Sequence, residues 1–148
     1  MTTAFKTVQD ALVAALLTPP TIVGTRVSSG RARPLPAEHE NGLYVSIESI
    51  SGQAVVIGGA PMDWDVVYGL EIRCRGSAGV DAMAALDPLL EAAYTRLLAT
   101  QPPTGVIGWA ITPRVRIDIE EAATPIASLQ LAMNVSLRTQ SASLALAT

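Results

Sequence analysis

The stretch Asp63-Trp64-Asp65-Val66-Val67-Tyr68-Gly69-Leu70-Glu71-Ile72-Arg73-Cys74-Arg75 decides the fold. Trp64, Val66, Tyr68, Leu70, Ile72 and Cys74 occupy every second position, and most residues between them are charged. Side chains of an extended strand point alternately to two faces, so one face of this stretch is buried. Val115, Ile117 and Ile119 repeat the pattern, and Leu129, Leu131, Met133, Val135 and Leu137 repeat it again. Together they predict an antiparallel sheet packed on helices through one face.

Upstream, Phe5, Val8, Leu12, Ala15 and Leu16 make a stripe at helical spacing, which predicts a helix over residues 3–17 capped by Thr2 or Thr3. Pro19-Pro20 stops it, because proline lacks the amide proton and clashes with the preceding turn. A strand over residues 22–28, a polar loop over 30–42 and a strand over 43–50 follow, the last with Val45 and Ile47 on the core side. Residues 51–61 form either the tips of an extended hairpin or a loop. Downstream, Met83, Leu86, Leu90, Ala93 and Leu97 predict a helix over 80–99. Pro88 either kinks it or marks a restart with Asp87 as cap. Strands over 109–120 and 126–138 complete the chain.

The fold class is therefore α+β: two layers, a mainly antiparallel sheet of about five strands and two helices on one face, in the order α-β-β-β-α-β-β. Residues 1–138 make a single domain and residues 139–148 a C-terminal tail.

Of 148 residues, 49% are apolar and only 16% charged, below the usual quarter. A net charge of -3 argues against a dedicated nucleic-acid binder, which needs a clustered basic surface. No apolar run reaches the roughly 18–20 residues of a membrane span. The start, Met1-Thr2-Thr3-Ala4-Phe5-Lys6, lacks the basic and apolar segments of a secretory signal. Cys74, the single cysteine, lies on an apolar strand face and reads as a buried, inert thiol in a reducing cytoplasm. The outward face of the last strand, Ser128, Gln130, Ala132, Asn134, Ser136 and Arg138, carries one charge. Such faces suit contact with another protein surface.

Signals for catalysis are weak. His39 stands alone between Glu38 and Glu40, and no second His or Cys lies at metal-ligand spacing. Asp63 and Asp65 flank Trp64 and project together; strand-end carboxylates of this kind usually stay wet or pair with arginine on a neighbouring strand. Arg114 and Arg116 against Asp118 and Glu120 read as cross-strand charge partners. The glycine-rich segment Gly76-Ser77-Ala78-Gly79 lacks the GxGxxG and GK[ST] patterns of phosphate cradles. No catalytic, metal-binding or cofactor-binding residue is assigned, and no cofactor is expected. Basic residues are nearly all arginine, and Arg31 and Arg33 share the loop of Glu38 and Glu40, which suits reciprocal pairing between neighbouring copies.

The element order, the central strand from Asp63 to Arg73, the helix over 81–99 and the closing strand over 128–138 resemble the tail terminator, or tail-to-head joining, proteins of long-tailed bacteriophages. The resemblance implies a virion structural protein without enzymatic activity, made in the host cytoplasm and located in the tail or neck region. It implies a hexameric ring of copies of the chain on the end of the tail tube, contacting the tube protein and the head–tail connector. DNA passes through its lumen without sequence-specific binding, and no membrane is involved. Head-completion, neck and minor tail proteins are the neighbouring alternatives. A small cytosolic enzyme using His39 or Asp63 with Asp65, and a ligand-binding domain with an apolar cavity, are the more distant ones. The assembly contacts expected from the sequence are Arg31, Arg33, Glu38 and Glu40 in the polar loop, and Val55, Val56 and Ile57 in the 51–61 excursion.

Overall fold

The structure, a computed structural model, describes residues 2–30, 34–54, 61–77, 81–120, 124–140 and 143–147, without the side chains of 113 and 114. Helix α1 (Ala4–Leu17), strands β1 (Val27–Ser29), β2 (Asn41–Ala54) and β3 (Met62–Arg75), helix α2 (Ala82–Ala99) and strands β4 (Val106–Glu120) and β5 (Ile126–Thr139) follow one another in the expected order. They form a five-stranded sheet in the order β1-β2-β3-β5-β4. β1 runs parallel to β2, and every other pair is antiparallel.

Both helices pack on the same face. α1 lies over β1 and β2, and α2 over β3 and β5. Phe5, Val8, Leu12 and Leu16 meet Leu43, Val45 and Tyr68 in one cluster that also takes in Leu86, Ala93 and Leu97 of α2 and Leu129 to Leu137 of β5. Thr3 is the N-cap of α1, its hydroxyl accepting from the Lys6 amide at 3.4 Å. α2 runs through Pro88 as one helix, so the restart at Asp87 does not occur. Three polar anchors lock the layers. Gln9 donates to the Val45 carbonyl at 2.8 Å, and the buried Tyr68 hydroxyl donates to the Phe5 carbonyl at 2.9 Å. Arg96 of α2 donates to the carbonyls of Leu16 (3.2 Å), Thr18 (2.5 Å) and Pro20, satisfying orphan acceptors where α1 ends.

Two expectations need correction, and one alternative is decided. The first strand shrinks to Val27–Ser29, because Gly24 adopts a φ of 63° and interrupts the extended backbone before it. Residues 51–54 belong to β2, so the hairpin alternative holds up to its tip; residues 55–60 lie outside the description. Its pairing needs Gly52, whose absent Cβ would stand 2.5 Å from the Trp64 ring. Trp64 in turn packs edge-on against Phe5, with centroids 5.3 Å apart, and donates to the Thr139 hydroxyl at 3.0 Å. The second correction concerns Val115, Ile117 and Ile119, which are not buried.

The tail is tied back to the domain. The Ala4 amide donates to the Leu144 carbonyl at 2.7 Å and the Ala147 amide to the Arg138 carbonyl at 2.9 Å, while Leu146 packs on the core.

Candidate assembly surface

Val115, Ile117 and Ile119 stand opposite Leu131, Leu129 and Ala127 of β5, so they share the helix-facing side of the sheet. Their β5 partners are buried, yet they are themselves 48%, 50% and 50% exposed. Geometry explains the difference. A helix is about 10–12 Å wide and strands are spaced about 4.8 Å, so two helices cover roughly four strands. β4, the fifth, is the outermost. Only its first half reaches the helices: Val106, Trp109 and Ile111 pack on the core, and the Trp109 indole donates to the Leu97 carbonyl at 3.4 Å. Beyond an irregularity between Thr112 and Val115, the second half carries its apolar residues past the edge of α2.

A groove of about 460 Å³ separates α2 from this overhang. Leu90, Ile111, Val115 and Leu131 give it an apolar floor and Tyr94 an aromatic wall, and Asp87 and Glu91 set two carboxylates at its rim. Tyr94 (44% exposed) and Leu98 extend the apolar surface along α2. Neither Asp87 nor Glu91 has an ion-pair partner among the described residues. The free side of β4 also leaves backbone donors and acceptors of a 15-residue strand open to pairing, a feature that folded proteins normally cover. β1, at the other edge, spans 3 residues.

The other sequence-derived candidates distribute differently. Arg31, Arg33, Val55, Val56 and Ile57 lie outside the described residues. Glu38 and Glu40 are exposed on a loop that Arg75 holds in place, its guanidinium donating to the carbonyls of Leu35 (3.2 Å), Pro36 (3.3 Å) and His39 (3.5 Å). Leu35 is buried beneath that loop. Asp63 makes a two-pronged pair with Arg138, at 2.6 and 2.8 Å, and these hydrogen bonds hold its carboxyl below the ordinary carboxylate range. Asp65 accepts from the Ser136 hydroxyl at 2.6 Å. Arg116, Asp118 and Glu120 face Gln130, Ser128 and Ile126 across the ladder, so the expected cross-strand charge pairing is not made among the described residues. Burial pushes the Cys74 thiol up, with the Glu40 charge adding to the effect, so it stays a protonated core group.

The two catalytic candidates of the sequence lie apart from one another. His39 borders a groove beside Asn41, near the Cys74 end of β3, whereas Asp63 lies at the opposite end, roughly 36 Å away along the strand. Among the described residues no three His, Cys, Asp or Glu side chains converge to hold a metal ion. One cavity between helices and sheet, bordered by Leu12, Tyr68, Leu97 and Met133, measures about 10 Å³, room for one water at most. The sequence reading missed Leu90, Tyr94 and Leu98 as surface-forming residues. Their only advance signal was an α2 apolar set wider than one stripe.

No protein-family model matches the sequence, and no curated protein matches it. Among solved structures, a chain in the virion of a native gene transfer agent (GTA) particle shares the fold, with a TM-score of 0.57 and 20% sequence identity over 88% of this chain and 94% of that one.

Proposed function

We propose that the chain is a structural protein of a phage-like virion, a tail terminator that forms a ring on the end of the tail tube, stops tube growth and joins the tail to the head connector. The observation that carries this reading is the fold shared with a virion chain over nearly the whole length of both molecules. The bare apolar half of β4 agrees with it, since a ring subunit needs one surface that fits a different surface on its neighbour. The ring is hexameric in this reading, its other partners are the tube protein and the connector, and DNA crosses the lumen unread. In this reading the protein performs no turnover, and Asp63 and Asp65 serve as strand carboxylates held by Arg138 and Ser136.

Growing tail tubes, assembled with and without the purified chain and measured by electron microscopy, test the assignment. Tubes capped at a fixed length, with the chain at one end, support it. Tubes that elongate unchecked at saturating chain would remove the terminator role.

A further inference from the structure

We propose that, away from any tail, two copies of the chain join through the outer halves of their β4 strands about a two-fold axis at Ile117. Each copy then sets its Arg116 against Asp118 of the other. This inference is independent of the ring reading.

The free side of β4 invites a strand, because unpaired strand backbone is a template for another. The order of side chains along it selects a second copy as that strand. Beyond the irregularity between Thr112 and Val115, the strand reads Val115-Arg116-Ile117-Asp118-Ile119. Turned end for end about Ile117, its apolar positions fall on apolar positions and its two charges change places. An antiparallel edge pair of identical strands performs that operation, since its two-fold axis sets the same patch against itself. Val115 therefore faces Ile119 of the second copy, Ile117 faces its own counterpart, and Arg116 faces Asp118.

Charge fixes the register. Sliding the copies by two residues either way keeps apolar residues together but sets Asp118 against Asp118, or Arg116 against Arg116, and like charges directly opposite are destabilising. Within the subunit nothing competes for these charges. Across the ladder to β5, Arg116 and Asp118 face the uncharged Gln130 and Ser128, and neither makes an ion pair among the described residues.

On the helix side, Val115, Ile117 and Ile119 of both copies, each about half exposed alone, merge into one strip of six apolar side chains. The two α2 helices stay clear of each other. Each lies over β3 and β5, so four strand spacings, about 19 Å, separate their axes, against a helix width of about 10–12 Å. The pair thus covers both the apolar ridge and the open backbone of a chain waiting in solution. A six-membered ring depends on concentration more steeply than a pair does, so dimers prevail in dilute solution and rings at high concentration or on a tube end.

Exchanging the charges tests this. By symmetry, Arg116→Asp or Asp118→Arg alone puts like charges at two contacts, and sedimentation in dilute solution is expected to show dimerisation weakened about thirty-fold by each. Mixed in equal amounts, the two variants restore a one-to-one dimer, and a chain carrying both substitutions pairs with itself again. Both residues are exposed, so the fold persists, checked by circular dichroism and the urea midpoint. Independently, a short bifunctional maleimide is expected to join two Ile117→Cys chains faster than two Ile107→Cys chains, since Ile107 is 60% exposed on the same strand but outside the paired segment. The inference is overturned by an unaltered chain without a dilute dimer, or by a single variant that dimerises as the unaltered chain does. A mixture or a double variant that stays monomeric overturns it too, as does equal cross-linking at 107 and 117. Rings on tube ends in any of these cases leave the ring reading standing. Dimers that follow the charge exchange while tube ends stay bare would end that reading alone.

Discussion

Ile117 and Leu129 face each other across β4 and β5, on the same side of the sheet, but one is 50% exposed and the other 1%. Shortening each to alanine should therefore cost very different amounts. Leu129→Ala leaves a cavity under α2 and loses about 2–5 kcal/mol. Ile117→Ala removes three carbons worth about 0.8 kcal/mol each when fully buried, and half burial reduces this to about 1 kcal/mol. With a urea slope of about 2 kcal/mol/M, the unfolding midpoint should fall by about 1–2.5 M for Leu129→Ala and by about 0.5 M for Ile117→Ala. The assay is urea unfolding followed by tryptophan fluorescence, with Trp64 and Trp109 as reporters, at concentrations low enough to suppress association. Equal shifts for the two variants would refute the reasoning. They would mean that the β4 ridge is packed within the subunit, and the open face would vanish with it.

Other expectations follow from single contacts. Tyr68→Phe removes a buried hydroxyl bonded to the Phe5 carbonyl and should cost about 0.5–1.5 kcal/mol in urea unfolding at neutral pH. Burial raises the Tyr68 pKa, so the folded state holds that proton when the unfolded chain has lost it; stability should fall as pH rises above about 10, and less so in Tyr68→Phe. The Arg138 hydrogen bonds lower the Asp63 pKa, so their stabilisation is complete above roughly pH 4 and fades as pH falls through the depressed value. Asp63→Asn should flatten that acid limb in unfolding measured between about pH 5 and 2. Gly52→Ala forces a Cβ into the Trp64 ring and should cost about 1–3 kcal/mol, with a change in tryptophan emission that Gly52→Ala combined with Trp64→Leu does not add to.

Periodicity made most of the fold legible. The buried faces of β3 and β5, both helix stripes and the Pro-Pro stops could be read directly, because each follows from which residues lie next to one another along the chain. What could not be read depends on topology. Val115, Ile117 and Ile119 alternate as cleanly as Leu129, Leu131 and Met133, and nothing local records that β4 becomes the outermost strand. The left-handed turn at Gly24 was likewise invisible among ordinary strand formers, as was the long reach of Arg96 to the end of α1. Low charge pointed to the outward sheet face as a contact surface, whereas the exposed apolar residues of β4 lie on the helix side. The expected arginine partner on a neighbouring strand is found for Asp63, which Arg138 holds, whereas Asp65 takes the Ser136 hydroxyl instead.

Electron microscopy of the purified chain at high concentration and bound to tail tubes tests the central claim most directly. The account predicts closed rings of one size, and the same ring seated on one end of each tube. Solitary subunits at every concentration, with bare tube ends, would contradict it.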